Sequence, residues 1–413
     1  MGGSFLQACA QPEREAHGMI SEAPAVLSSR PALSCLHVVT ITPFFPTQHD
    51  RVSGCFVAEP LSYVGSHGVR NSVVAVNRFY ERKLASLAEM PAQCVRYACL
   101  PGNAGLASAG AFLFRGLIAR IRALHQRQRI DLIHAHSALP CGDAAELIGR
   151  TLKIPFVVTV HGLDAFSSSQ VRGILGHWCK RRTTRVYKRA QSVLSISRKV
   201  QQKVQAGCPE AYTIVVYNGV DSQLFRPDSA KADSSTILCV GNLIPTKGQE
   251  LLIRAFAEVR KAVPQAVLRF IGTGAQEPSL RRLATQLGTE RAIAFEGRQD
   301  RESLARSMRD CAVFALPSSY EGLGCVYLEA MSSGKPVIGC TGQGIEEVVH
   351  HEENGFLIRP DDPHGLSHTL TRLLKNKSLR EQVGVRARRT ILSRFTLKHQ
   401  AAVLVEAYRE AVR

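Results

Sequence analysis

Pro317-Ser318-Ser319-Tyr320-Glu321-Gly322-Leu323-Gly324-Cys325-Val326-Tyr327-Leu328-Glu329-Ala330-Met331 is the most informative stretch of this 413-residue chain. It follows an apolar run ending at Leu316 and leads into a helical pattern, so it reads as strand, glycine-rich loop and helix start. Gly322 and Gly324 let a backbone come close to a ligand. The N–H groups of a helix opening near Gly324, those of Cys325 and Val326 first, would point at an anion such as a diphosphate. Glu321 falls in the loop and Glu329 in the second helical turn, so the two carboxylates can face different ends of one ligand. Carboxylates accept two hydrogen bonds, which suits the paired hydroxyls of sugars and ribose.

Working outward, short β-rich runs alternate with helical patterns, the signature of βαβ units and parallel sheets. The runs are Leu36 to Thr42, Val73 to Val76, Leu132 to His134, Phe156 to Val160 and Val193 to Ile196. The pattern then restarts with Ile237 to Val240, Val267 to Ile271, Ala292 to Phe295, Val313 to Leu316 and Val337 to Gly339. An α/β fold with two sheets is therefore expected, since single cores stop growing near about 250 to 300 residues. Residues 1–34 read as a tail, 35–217 as a first domain, 218–234 as a hinge rich in turn residues, and 235–393 as a second domain. Residues 394–413 read as a closing helix, Leu397 to Val412, expected to pack back on the first domain.

The formal net charge is +18, which calls for an anionic partner: nucleic acid, anionic lipid and phosphorylated substrates all fit. Much of the excess lies in Arg115, Arg120, Arg122, Arg127 and Arg129, then in Lys180, Arg181, Arg182, Arg185, Lys188 and Arg189. Read as one-sided solvated faces, these clusters favour a peripheral site on an anionic membrane. With aromatic content of 6% and no binding motif, no nucleic acid is expected. No run approaches the roughly 20 apolar residues of a membrane span, and the first thirty residues lack the order of a signal peptide, so a cytoplasmic protein is expected. The 12 cysteines are scattered singly and read as reduced thiols. His134 and His136 share one strand face, but no acidic or cysteine partner lies at ligand spacing and no Asp-x-Asp occurs, so no metal or other cofactor is expected.

A Glu, seven residues and a second Glu at Glu321 and Glu329 resemble the large glycosyltransferase family 4. Val240-Gly241-Asn242-Leu243-Ile244-Pro245-Thr246-Lys247-Gly248 is similar to that family's strand-to-helix turn, and Tyr217-Asn218-Gly219-Val220-Asp221 with Phe225 to its interdomain hinge. Resemblance covers nearly everything from Leu36 to Val412, most specifically in the second half, and is strongest to bacterial transferases of polysaccharide assembly, including the teichuronic-acid type. It implies the GT-B arrangement, two Rossmann-like domains facing across a cleft. It also implies transfer of a sugar from a nucleotide diphosphate sugar to a glycan or lipid-linked acceptor, with retention at the anomeric carbon.

By the same likeness, Lys247 would neutralise the leaving diphosphate, Glu321 would hold the transferred sugar and Glu329 the ribose, while His161 would line the reaction centre. Gly54 would lie beside the donor phosphates, and Gly272 and Gly274 beneath the nucleotide. Asn242 stands where many relatives carry a phosphate-binding arginine, which places more weight on Lys247. Pro60 is expected to interrupt the helix after Gly54. Gly342 to Glu347 is expected to bound the donor pocket without a catalytic task. Two other readings remain open: an epimerase or hydrolase using the same donor pocket, and a non-catalytic nucleotide-sugar-binding protein.

Overall fold

The structure, a computed structural model, describes residues 35–47, 50, 52–79, 92–99, 105–169, 171, 173–228 and 235–413. The expected tail (1–34) and part of the expected hinge (229–234) lie outside the described residues.

The first sheet has seven strands: β1 (Leu36–Thr42), β2 (Val69–Arg78), β3 (Ala92–Tyr97), β4 (Leu132–His136), β5 (Phe156–Val160), β6 (Val193–Ser195) and β7 (Thr213–Val215). They lie in the order β3-β2-β1-β4-β5-β6-β7. The second has six: β8 (Thr236–Val240), β9 (Val267–Ile271), β10 (Ile293–Phe295), β11 (Val313–Ala315), β12 (Val337–Cys340) and β13 (Phe356–Ile358), ordered β10-β9-β8-β11-β12-β13. Every strand pairing is parallel. Parallel neighbours need crossovers. In the first half these include α1 (Cys55–Val64), α2 (Leu106–Arg127), α3 (Asp143–Leu152), α4 (Gly173–Arg189) and α5 (Arg198–Gly207). In the second half they include α6 (Gln249–Ala262), α7 (Glu277–Gln286), α8 (Arg301–Asp310) and α9 (Cys325–Ser332), followed by α10 (Pro363–Lys375), α11 (Lys377–Arg394) and α12 (Leu397–Ala411).

Strand order reverses between β1 and β4 and again between β8 and β11, and ligands of open parallel sheets bind beyond the carboxyl ends of strands at such points. The loops after β1, β8 and β11 carry Gly54, Asn242 with Lys247, and Glu321, so sheet topology brings them to the two switch points.

The restarting pattern predicts both sheets, and three strands escape it: β3, β7 and β13. All three are edge strands. β3 is buried only at Val95 and Tyr97, and β7 and β13 have three residues each, so none needs the long apolar run of a central strand. Conversely, β2 extends well beyond the expected Val73 to Val76, because its ladder with β1 recruits Arg70, Asn71 and Ser72.

Helix α1 also corrects an expectation, since it runs unbroken through Pro60. Proline removes one amide donor from an interior turn, but Pro60 is buried and shares a small cavity with Leu404 of α12. Apolar contact compensates for the lost bond. Helix α12 itself buries Ala401, Leu404, Val405 and Tyr408 in one cluster with Val38, Leu132 and Val157 of the first sheet. The chain crosses between the halves twice, side by side: Val220 N donates to Phe395 O (2.9 Å) and Leu397 N to Val220 O (3.2 Å).

Candidate functional site

A cavity of about 670 Å³ lies between the two halves, lined from one side by Phe44, Phe56, Arg78, Tyr97, His161 and Asp164 and from the other by Asn242, Thr246, Lys247, Tyr320, Glu321 and Gly322. Lys247 ends a single turn, Pro245–Lys247, closed by Gly248 at φ 70°. A side chain on Gly248 would meet Pro317 O at 2.1 Å, so this turn is pressed against the β11 loop. Lys247 and Glu321 are thereby neighbours. Their Nζ and Oε2 atoms lie 2.5 Å apart, with only 20% and 12% of the side chains exposed. The loop contact pairs this lysine with a carboxylate.

Glu321 N donates to Gln343 Oε1 (2.9 Å), which also accepts from Lys199 Nζ (2.6 Å). Helix α9 opens after Gly324 at φ 83°, a conformation that favours glycine, and no side chain caps it. By helix geometry, the first-turn N–H groups of Cys325 and Val326 have no intrahelical acceptor.

His161 follows β5 directly. Its N–H donates to Asp164 Oδ1 (2.8 Å), and its ring Nε2 lies 3.0 Å from His136 Nδ1, with Phe44 and Phe56 edge-on at 5.6 and 4.9 Å. His134 completes a histidine row, its ring centroid 4.3 Å from that of His136, and is held by Tyr408 and Thr159, each at 2.7 Å. Burial lowers His134 and His161 to about 3 and His136 well below its usual value, so all three are neutral at physiological pH. The folded values lie below the ordinary 6.5, so the unfolded chain binds more protons between those limits. The histidine contribution to stability is therefore complete above about pH 6.5 and declines as pH falls towards 3. In NMR the three rings should keep neutral ring C–H shifts from pH 8 to 5 while the melting temperature falls. Titration of any of them near 6.5 would contradict the burial seen here. Among the described residues no group of three His, Cys, Asp or Glu is placed to hold a metal.

Glu329 is 4% exposed and lies outside the cavity wall, with Oε1 bonded to Arg301. Gly54 precedes α1 at φ 83°, tight against the Phe44–Phe45 backbone.

Two sequence profiles match the chain side by side: Glycosyltransferase Family 4 over residues 66–224 and Glycosyl transferases group 1 over residues 221–390. The chain belongs to glycosyltransferase family 4. It is 28% identical over 278 residues to an uncharacterized glycosyltransferase of Methanocaldococcus jannaschii, covering 66% of this chain and 75% of that one. It is also 28% identical over 296 residues to N-acetyl-alpha-D-glucosaminyl L-malate synthase of Bacillus anthracis, covering 68% and 74%. Sucrose-phosphate synthase from Thermosynechococcus elongatus shares the fold, with TM-score 0.73, 20% identity and coverage of 91% and 98%. HepE of Anabaena, solved with UDP-glucose, gives 0.69, 21%, and 90% and 99%. The fold is GT-B, and this family 4 glycosyltransferase transfers a sugar from a nucleotide sugar.

Of the residues singled out in the transferase sequence, Asn242, Lys247, Glu321, Gly322 and His161 share the cleft cavity. Gly272 and Gly274 do not line it. Side chains there would strike Gly241 O at 2.0 Å and Leu243 O at 2.2 Å, so these glycines let the β8 and β9 loops pack together. Gly322 O accepts from Ser197 Oγ (2.6 Å), a bond between the halves, and Val326 is half-buried against the core. Gln343 lies in the Gly342 to Glu347 stretch expected to bound the pocket, whereas reading by motif misses Lys199, Arg301 and Glu59, all of which act through partners more than twenty residues away.

The basic cluster needs correction. Arg182 and Arg185 each bond Asp143 at 2.7 Å, Arg189 bonds Glu146, and Lys188 pairs with Glu210 at 2.7 Å. Asp143 and Glu146 are buried, so three of the six cations are engaged structurally, with two of their three charges offset; a fourth, Lys188, is paired at the surface. Lys180 and Arg181 remain exposed on α4.

Proposed function

We propose that the transferase moves a hexose-type sugar from a nucleotide diphosphate sugar to a glycan or lipid-linked acceptor, with retention of anomeric configuration, in cell-surface polysaccharide assembly. The observation that carries this reading is the Lys247–Glu321 pair on one wall of the cleft cavity, opposite His161. When the donor diphosphate enters, the Lys247 ammonium leaves Glu321 for the phosphate oxygens, and Glu321 becomes available to sugar hydroxyls. Lys247 and the first-turn amides of α9 then stabilise the charge that develops as the diphosphate departs, inside a cleft from which closure excludes water. His161 is neutral and serves to shape the reaction centre rather than as an acid. Arg78 and Tyr97 on the acceptor wall suit a phosphate-bearing acceptor, as a lipid-linked glycan would be.

The test is a panel of nucleotide sugars, with and without lipid-linked acceptors, in EDTA, following nucleoside diphosphate release and the product's anomeric configuration. Acceptor-dependent release with retention supports the proposal. Inversion, or loss of activity in EDTA, counts against the metal-free retaining mechanism, and release of free or epimerised sugar without acceptor favours the hydrolase or epimerase.

For the membrane, support comes from α4, where Ile174, Leu175 and Trp178 are 81%, 42% and 54% exposed beside Lys180 and Arg181. Exposed Arg115, Arg120, Arg122 and Arg127 lie along α2. Among the described residues no helix is long and apolar enough to cross a bilayer, so binding is peripheral on this reading. Each basic residue near an anionic surface contributes about 1 kcal/mol. The protein should co-sediment with vesicles containing phosphatidylglycerol and not with phosphatidylcholine alone. Ile174→Ser with Trp178→Ser should weaken that partition about tenfold, the loss of roughly 1.4 kcal/mol of apolar insertion. Equal sedimentation with both lipids would sink the idea.

A further inference from the structure

Two arginines, Arg298 just before α8 and Arg301 at its first position, reach across the cleft to the first half. Arg298 Nη1 lies 2.7 Å from Asp50 Oδ2, and Arg301 Nη2 lies 2.7 and 2.8 Å from the two oxygens of Glu59. Asp50 and Glu59 bracket Gly54, one in the loop before α1 and the other within it. Asp50 Oδ1 also accepts from Ser53 N at 3.0 Å, so the same carboxylate shapes the loop and receives the arginine.

Arg301 does more than bridge the halves. Its other terminal nitrogen bonds Glu329 Oε1, and its guanidinium lies 4.7 Å from the centre of the buried Phe225 ring. Glu329 Oε2 has no hydrogen-bond partner among the described residues, although the residue is 4% exposed. A buried carboxylate oxygen without a donor is costly unless a ligand supplies one, and a hydroxyl is the matching donor. The planar fork of arginine can serve two carboxylates at once; the single ammonium of lysine reaches them as one point charge.

We propose that Arg301 is a positioning residue of the donor site: by gripping Glu329 Oε1 and Glu59 together, it aims Glu329 Oε2 at hydroxyls of the nucleotide and ties that seating to α1 in the closed cleft. The proposal rests on the donor reading above. It assigns separate consequences to the two ends of the bridge. The Glu329 end, in the second half, governs nucleotide binding, and the Glu59 end governs turnover, which needs both halves.

The test uses the full chain, UDP and GDP as binding probes in calorimetry, and turnover with whichever nucleotide sugar the wild type consumes. Arg301→Met should raise the nucleoside diphosphate Kd about tenfold, and Arg301→Lys should restore binding to within about threefold while kcat stays about tenfold low. Glu59→Gln, which is isosteric, should leave Kd within about twofold and lower kcat about tenfold. Thermal melts check that each variant is folded, and the two isosteric or conservative variants serve if Arg301→Met does not fold. Equal factors in Kd and kcat for Glu59→Gln and Arg301→Met, or wild-type values for both, would overturn the assignment. A wild type that binds neither diphosphate and consumes no nucleotide sugar would instead bring down the donor reading, and the role of Arg301 with it.

Discussion

Lys247→Ala should lower kcat about 10²- to 10³-fold, the cost of removing one preorganised group that meets developing negative charge. Stability should change by no more than about 2 kcal/mol, because Lys247 and Glu321 are partly solvated at the cavity wall and such pairs contribute little to folding. The two outcomes separate a catalytic cation from a structural one. Turnover is measured as nucleoside diphosphate release at saturating donor, and folding by thermal melt. A folded Lys247→Ala protein with kcat within threefold of wild type would remove Lys247 from the mechanism. The observed pairing adds a second expectation: donor must compete with Glu321 for the ammonium, so Glu321→Gln should tighten binding of nucleoside diphosphate alone while still slowing transfer.

Asp143→Ala should have the largest effect on stability. Asp143 is fully buried on the first turn of α3 and receives Arg182 and Arg185, each at 2.7 Å. Helix α2 approaches it so closely that a side chain on Gly110 would lie 2.3 Å from Oδ2. Removing one partner of a buried ion pair strands the other and costs about 3 kcal/mol or more, here moderated because both arginines are partly exposed. For a domain of this size that corresponds to a fall of roughly 6–12 °C in melting temperature. A shift below about 2 °C in calorimetry would show that solvent already screens these arginines. Activity per folded molecule should be unchanged, since this network lies outside the cleft cavity.

Asp143 illustrates where reading along the chain stops. Six basic residues between Lys180 and Arg189 look like a solvated surface when taken in order. In the structure, three of them instead neutralise Asp143 and Glu146 on a neighbouring helix, some forty residues away. Glu329 shows the same limit in the site. Its spacing from Glu321 places it on the second turn of α9, and the structure agrees, yet its partner Arg301 belongs to another helix and Glu59 to the other half. Gly272 and Gly274 were legible as close-approach turns, but whether a ligand or a second loop makes the approach depends on what the fold places opposite.

The amino-acid order alone determined two parallel sheets, the central strands, the loop after β11 and the turn carrying Lys247. These follow from local physics: apolar runs with a period, glycine where the backbone must bend, and helix starts that leave amides open. Tertiary structure alone decided which edge strands joined, how Pro60 was accommodated, which cations stayed exposed and how Lys247, Glu321, Arg301 and Glu329 found their partners. Ion pairs and close backbone contacts depend on distances of a few ångströms between segments far apart in the chain, and no local pattern encodes such a distance.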